Sequence, residues 1–158
     1  MVRKLDVPWI TKDGYFDFTK FPMDSVLKQA LSGENSDLMG ACSVLDSMYH
    51  AGRPEAAVYL YGLMVHNYNN IQRKEIIVKH IGVVKTKECA NILFKELNDI
   101  ESNNTTRGYV NSILNILMTF PLPLIRDGFE ALMNNNKWSV RMKRKFEDII
   151  LEKGYFTV

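Results

Sequence analysis

Three arginines, Arg73, Arg107 and Arg141, recur at intervals of 34 residues, and each stands near the start of an apolar stretch. A guanidinium group is permanently charged and donates several hydrogen bonds in a rigid fork, so it binds carboxylates, phosphates or loop carbonyls. This arginine ladder has two interpretations. Each arginine either binds loop carbonyls, or a carboxylate such as Asp99, and holds neighbouring repeats together, or lines a groove that holds an anionic partner.

A second concentration of positive charge lies in residues 137–145, which contain no acidic residue. Its basic side chains are Lys137, Arg141, Lys143, Arg144 and Lys145. Such a cluster could contact the phosphates of a nucleic acid or an acidic protein surface. The alternative is a solvated helix face that acidic residues one or two turns later partly neutralise.

The other reactive residue types form no recognisable site. His50, His66 and His80 lie in different segments without metal-ligand spacing. Cys42 and Cys89 are too few for a disulfide framework, and we expect two buried thiols in a reducing cytoplasm. No phosphate-binding loop or nucleophile elbow is present in the sequence. We therefore predict no catalytic residue, no metal site and no cofactor.

The composition is that of a globular protein. The chain has 158 residues, of which 46% are hydrophobic and 24% are charged, enough for one domain with a substantial core. A net charge of +2 does not make the whole molecule an obvious polyanion binder. The sequence lacks the apolar runs of a signal peptide or a membrane span, so we expect a cytoplasmic protein that does not enter a membrane.

Apolar spacing, glycines and prolines predict the elements that position these residues. Residues 1–21 are an aromatic arm with an Asp13-Gly14 turn signal, which indicates an extended arm or a small hairpin that covers the first helix pair. The remaining residues, 22–158, show helical periodicity and divide into four predicted helix pairs. Their approximate bounds are 22–51, 52–84, 85–119 and 120–153. A repeat of this length predicts an all-α solenoid, in which stacked pairs share one core.

One position within the repeat supports this prediction. The third residue after each marker of the 34-residue period is Cys42, Ile76, Val110 and then Arg144. Three of these are apolar and the last is charged. A terminal repeat has no following neighbour to bury that position, so a polar residue is expected there.

Across roughly residues 22–153 the pattern resembles HEAT repeats, in which a Leu-rich first helix leads through an Asn/Asp loop to a second helix opening with Val-Arg. The matching segments are 124–133 leading to Val140-Arg141, 92–99 leading to Thr106-Arg107, and 58–64 leading to Gln72-Arg73. In the first repeat Met39 replaces the arginine. The resemblance implies a right-handed superhelix of antiparallel helix pairs whose second helices line a concave face. Such proteins are mostly interaction scaffolds.

From this resemblance we predict a non-catalytic scaffold that binds a protein partner on its concave face. The candidate partner-binding residues are Arg73, Lys74, Arg107, Asn111, Arg141 and Lys145. The alternative is a nucleic-acid-binding protein. Trp138 beside the basic stretch is similar to the tryptophans and basic surface of HEAT-like DNA glycosylases, which implies a base-excision enzyme as the enzymatic form of that alternative.

Overall fold

A computed structural model describes residues 7–155. The first six residues of the predicted arm and the last three of the predicted repeat region lie outside this range. The described residues form eight α-helices and no β-strand, which confirms the predicted all-helical fold of paired helices. The helices are α1 (Met23–Ala30), α2 (Asn35–His50), α3 (Glu55–His66), α4 (Ile71–Ile81), α5 (Lys87–Asp99), α6 (Arg107–Leu117), α7 (Leu122–Met133) and α8 (Val140–Tyr155).

Local sequence signals set several helix ends. The Thr86 hydroxyl accepts a hydrogen bond from the Cys89 amide at 3.2 Å and so caps the N-terminus of α5. Asn70 caps α4 in the same way. Gly52 follows the last turn of α2 with φ of 91°, a left-handed conformation that glycine adopts without a steric penalty. Short loops therefore join consecutive helices and allow each pair to pack.

The chain divides into two compact units, one up to Val83 and one from Val84 onward. In the first unit α1 packs on α2, and α2 also packs on α3 and α4. Its core is fully buried and apolar, with members from three of the helices: Leu38, Leu45, Met48, Leu60 and Ile77. Burial of such side chains contributes about 1.5–3 kcal/mol each, so α2 is the central element of this unit.

In the second unit α5 packs on α6 and α7, and α7 packs on α8. Aromatic side chains dominate its core. The Phe94 and Phe129 rings meet edge to face at 5.0 Å, and Phe129 lies 5.8 Å from Phe146. Gly128 permits this close approach, because a Cβ at that position would lie 2.2 Å from the Phe94 ring. The α5–α7 contact therefore depends on a missing side chain.

The described part of the arm forms a tight hairpin. Ile10 and Phe16 form an isolated antiparallel bridge around Gly14, whose φ is 85°. Arg53 holds the end of the arm by donating to the Phe21 carbonyl at 2.5 Å. Tyr15 and Phe16 nevertheless remain 74% and 61% exposed. The prediction that the aromatic arm covers the first helix pair is therefore wrong for Tyr15 and Phe16, because their position at the hairpin turn leaves both side chains exposed to solvent.

Candidate functional site

Residues 34 apart in sequence lie side by side on the second helix of each pair. In the first unit, His80 of α4 lies 3.3 Å from the Asp46 carboxylate of α2, measured from Nδ1. In the second unit, Lys145 of α8 donates to Asn111 Oδ1 of α6 at 3.4 Å. The sequence period is thus a spatial period within each unit. It places side chains at equivalent positions of neighbouring second helices next to each other.

Arg73 is a structural member of the arginine ladder. It lies in the first turn of α4 and is only 8% exposed. Its guanidinium donates to carbonyls at the end of α1 and in the following loop, and to two asparagine side chains. The acceptors are Ala30 O, Ser32 O, Gly33 O, Asn35 Oδ1 and Asn67 Oδ1, at 3.0 to 3.4 Å. This set of contacts, the Arg73 latch, joins the first helix pair to the second. The neighbouring candidate Lys74 is likewise only 8% exposed.

Arg107 and Arg141 are placed differently. Both are exposed. Arg107 donates to Asn104, three residues earlier, at 2.9 Å, and it does not contact Asp99. Within residues 7–155, the ion pair of Asp99 is with Lys95, one helical turn earlier in α5. The structural interpretation, in which each arginine binds loop carbonyls or a carboxylate such as Asp99, therefore fits Arg73 through its carbonyl acceptors. For Arg107, the acceptor is Asn104 and not Asp99.

Lys137, from the basic stretch, takes a structural role that the sequence did not indicate. Its ammonium donates to the carbonyls of Leu97 and Asn98 at 2.8 and 2.9 Å, at the C-terminal end of α5. A cation there also complements the negative end of the helix dipole. Burial lowers the pKa of Lys137, and nearby Asp99 opposes this shift. Lys137 thus binds the end of α5 much as Arg73 binds the end of α1.

Most of the remaining ladder and basic-stretch residues meet in one cleft between α6 and α8, with a volume of about 680 Å³. We call it the α6–α8 cleft. Four of the six predicted partner-binding residues line it, and the sequence separation between them is as large as 38 positions. They are Arg107, Asn111, Arg141 and Lys145. Arg144, the charged residue at the otherwise apolar repeat position, lines it as well.

The cleft carries an excess of positive charge. Arg107, Arg141, Arg144 and Lys145 face a single carboxylate, Asp148, among the lining residues. On α8 the three cations are spaced i, i+3 and i+4, which brings them onto one face of the helix. No ion pair joins any of these four cations to another residue of the described range 7–155. Their charge is therefore available for a ligand.

Amide side chains make up much of the rest of the lining. Asn103 and Asn104 come from the α5–α6 loop, and Asn111 comes from α6. The Asn103 carboxamide is occupied by the loop, because its oxygen accepts from the Thr105 and Thr106 amides. A carboxamide both donates and accepts hydrogen bonds, as does a peptide group. The sequence pointed only to Asn111, since loop asparagines are common turn residues and carry no distinguishing spacing.

Trp138 does not form part of this cleft. It is 3% exposed and packs edge to face on Phe146 at 5.4 Å. Its indole face is therefore not accessible for stacking on a base. The resemblance to the glycosylase arrangement rested on sequence proximity of Trp138 to the basic residues, and the fold separates the two by burying the tryptophan.

Residues 7–155 contain neither a candidate metal-binding cluster nor a candidate membrane-spanning helix. They hold no cluster of three or more His, Cys, Asp or Glu side chains that could bind a metal ion. None of their helices is both long and apolar enough to span a bilayer. Cys42 and Cys89 are buried and form no disulfide within residues 7–155, and burial raises the pKa of Cys42 to about 12. A thiol with so high a pKa is a poor nucleophile at neutral pH.

Comparison with known proteins identified no relative: no family model, curated protein or solved structure matches this chain. Membership of the HEAT-repeat family therefore stays a prediction from the residues of this chain. The α6–α8 cleft is a candidate site because of the side chains that line it, and not because of a similarity to a known protein.

Proposed function

We propose that this protein is a non-catalytic helical-repeat scaffold that binds a protein partner on the surface made by its second helices. One observation carries the proposal. The α6–α8 cleft brings together Arg107, Asn111, Arg141 and Lys145, which the resemblance to HEAT repeats suggested as partner-binding candidates. A right-handed HEAT-type superhelix with a concave binding face is part of the same proposal, and so is a cytoplasmic setting, which suits two described cysteines that form no disulfide.

The dimensions of the cleft suit a short protein segment. Its volume of about 680 Å³ falls within the roughly 300–1,000 Å³ of typical ligand sites. Arginine is enriched where proteins bind each other, because its fork makes paired hydrogen bonds with carboxylates. The asparagine amides complement a peptide backbone, which presents donors and acceptors in turn. A protein segment can therefore satisfy both kinds of group in the lining.

A nucleic-acid ligand is the competing function, and the same cations favour it. Of the five residues proposed for phosphate contact, Arg141, Arg144 and Lys145 line the cleft. Lys137 is already bound to the end of α5, and Lys143 is half-buried outside the cleft. The described lining residues include no aromatic side chain, so bases have no stacking surface there. These differences favour a protein partner.

Site-specific photo-crosslinking in extract from the native host tests the proposal. A photoreactive residue replaces Asn111 in the cleft. In the matched control it replaces Glu130, an exposed residue of α7, which is the first helix of the fourth pair. We expect protein adducts from position 111 that are much stronger than those from position 130. Equal labelling at both positions, or adducts at position 111 that contain only nucleic acid, would contradict the proposed function.

A further inference from the structure

Two arginines of the α6–α8 cleft, Arg141 and Arg144, differ from those cations of the described residues that are bound within the fold. Arg53 is paired with Glu55, and Lys95 with Asp99. Arg73 donates all of its bonds within the fold. By contrast, the guanidinium groups of Arg141 and Arg144 contact no carboxylate or carbonyl within residues 7–155. Within residues 7–155, four cations without an ion-pair partner therefore line this one cleft.

The positions of these charges are unfavourable in the unbound protein. Arg107 is the first residue of α6 and Arg141 the second residue of α8, where a positive charge opposes the helix dipole. Arg141, Arg144 and Lys145 also repel one another across i, i+3 and i+4 spacing. Asp148 offsets only part of this charge. A bound anion would relieve both effects, so a ligand of negative charge should stabilise the folded second unit.

We propose that the α6–α8 cleft binds an extended, Asp- and Glu-rich segment of a partner protein, an inference that rests on the proposed scaffold function. Side-chain carboxylates of the segment would pair with Arg107, Arg141 and Arg144, and its backbone would meet the Asn104 and Asn111 amides. The charge complementarity is local, since the chain as a whole carries only +2. A confined group of cations suits a short acidic segment better than a long polyphosphate backbone.

The test measures binding of a fluorescent oligoglutamate of about six residues, roughly 20 Å long when extended, to the full-length protein by anisotropy. An oligoglutamine of the same length is the neutral control. We expect saturable binding of oligoglutamate, weak or no binding of oligoglutamine, and a rise in melting temperature with oligoglutamate alone. Failure of oligoglutamate to bind at low salt would overturn the acidic-segment assignment.

Variants locate the binding. The double substitution Arg141→Gln/Arg144→Gln should weaken oligoglutamate binding by about tenfold. Lys143→Gln removes the same type of charge from the same helix but outside the cleft, and should change affinity by less than about twofold. Asp148→Asn should tighten binding by about twofold, because it removes the opposing carboxylate. Equal losses for the double variant and Lys143→Gln would contradict a specific site. Glutamine at these positions removes positive charge from α8 and so reduces repulsion between its cations. The double variant and Lys143→Gln should therefore both have melting temperatures no lower than that of wild type.

Single-stranded and duplex DNA of matched charge form the last arm. Tighter binding of either DNA than of oligoglutamate would assign the cleft to nucleic acid and overturn the inference. The crosslinking experiment separates the two levels of proposal. Protein adducts from position 111 without oligoglutamate binding would leave the scaffold function standing and remove its acidic partner. Oligoglutamate binding without protein adducts would support the anion site and contradict the scaffold.

Discussion

Replacing Arg73 with alanine should destabilise the first unit strongly. The substitution removes the Arg73 latch, whose guanidinium donates five hydrogen bonds to two asparagine side chains and to three carbonyls at the end of α1 and in the following loop. Two of the five, to Asn67 Oδ1 and to Ala30 O, are buried at 3.0 and 3.2 Å. The acceptors stay behind in the variant, and the buried ones lose their partner without gaining full access to water.

The magnitude follows from these two buried bonds. A hydrogen bond from a charged donor contributes about 1.5–3 kcal/mol to stability, so two contribute about 3–6 kcal/mol. Water can replace part of the other three, which are only partly buried. We therefore expect Arg73→Ala to lower the free energy of unfolding by at least the contribution of the two buried bonds, about 3–6 kcal/mol. Domains of this size are stable by only about 5–15 kcal/mol, so the loss should be conspicuous.

The assay is urea unfolding followed by far-ultraviolet circular dichroism, with native-state hydrogen exchange reporting on α1 and α4. Arg73→Lys keeps the charge but loses the fork, and we expect an intermediate loss of stability. Arg107→Ala is the matched control from the same ladder. Because Arg107 is exposed and bonded only to Asn104, its removal should change stability by about 0.5 kcal/mol or less.

Two results would refute this reasoning. An Arg73→Ala protein within about 1 kcal/mol of wild type would show that the latch adds little net stability to the pair of repeats. A loss for Arg107→Ala as large as that for Arg73→Ala would show that burial does not decide which ladder member is structural.

Three further predictions concern packing, thiol chemistry and pH. Gly128→Ala should lower the free energy of unfolding by about 1–3 kcal/mol, because the new methyl group would lie 2.2 Å from the Phe94 ring. Gly62→Ala has open space around it in α3 and should raise the free energy of unfolding by up to about 1 kcal/mol. Equal melting temperatures for the two variants would contradict this. Burial raises the pKa of Cys42 to about 12, so an aromatic disulfide reagent at pH 8 should label it only as fast as the protein opens, and labelling as rapid as in urea would be the contrary result. A side-chain hydrogen bond from the threonine two positions later lowers the pKa of Asp17, so its contribution to the hairpin should be complete above the ordinary Asp pKa and lost as the pH falls through the lowered value; a carboxyl resonance titrating at or above about 3.9 would disprove it.

The helices were predictable because their signals are local. Glycines, prolines and caps such as Thr86 act within one turn, and apolar spacing marks the buried face of each helix. The 34-residue period predicted stacked helix pairs, and the structure adds that residues 34 apart, such as Asp46 and His80, are neighbours on second helices. These features require no knowledge of how loops fold.

The contacts that each ladder arginine makes were not predictable from the sequence, because they depend on loop geometry. Arg73 and Arg107 hold the same repeat position, yet only Arg73 meets the carbonyls of a preceding helix end within its own unit. Lys137 was grouped with solvent-facing cations because its acceptors are backbone oxygens, which every residue possesses and no sequence pattern marks. Trp138 was ambiguous for a similar reason. Its proximity to charge along the chain says nothing about the Phe146 ring that buries it.

The Arg73 latch also bears on how such a chain can be shortened or lengthened. The latch originates in the second repeat and closes the end of a helix in the first, with 43 residues separating Arg73 from its acceptor Ala30. Cleaving the chain between these repeats would leave the carbonyls at the end of α1 without their donor in one fragment. In the other fragment, the Arg73 guanidinium would lose its acceptors from the first repeat. The smallest piece that retains this closure is a pair of repeats. Deletions or duplications that move whole pairs should therefore be tolerated better than those that move a single repeat.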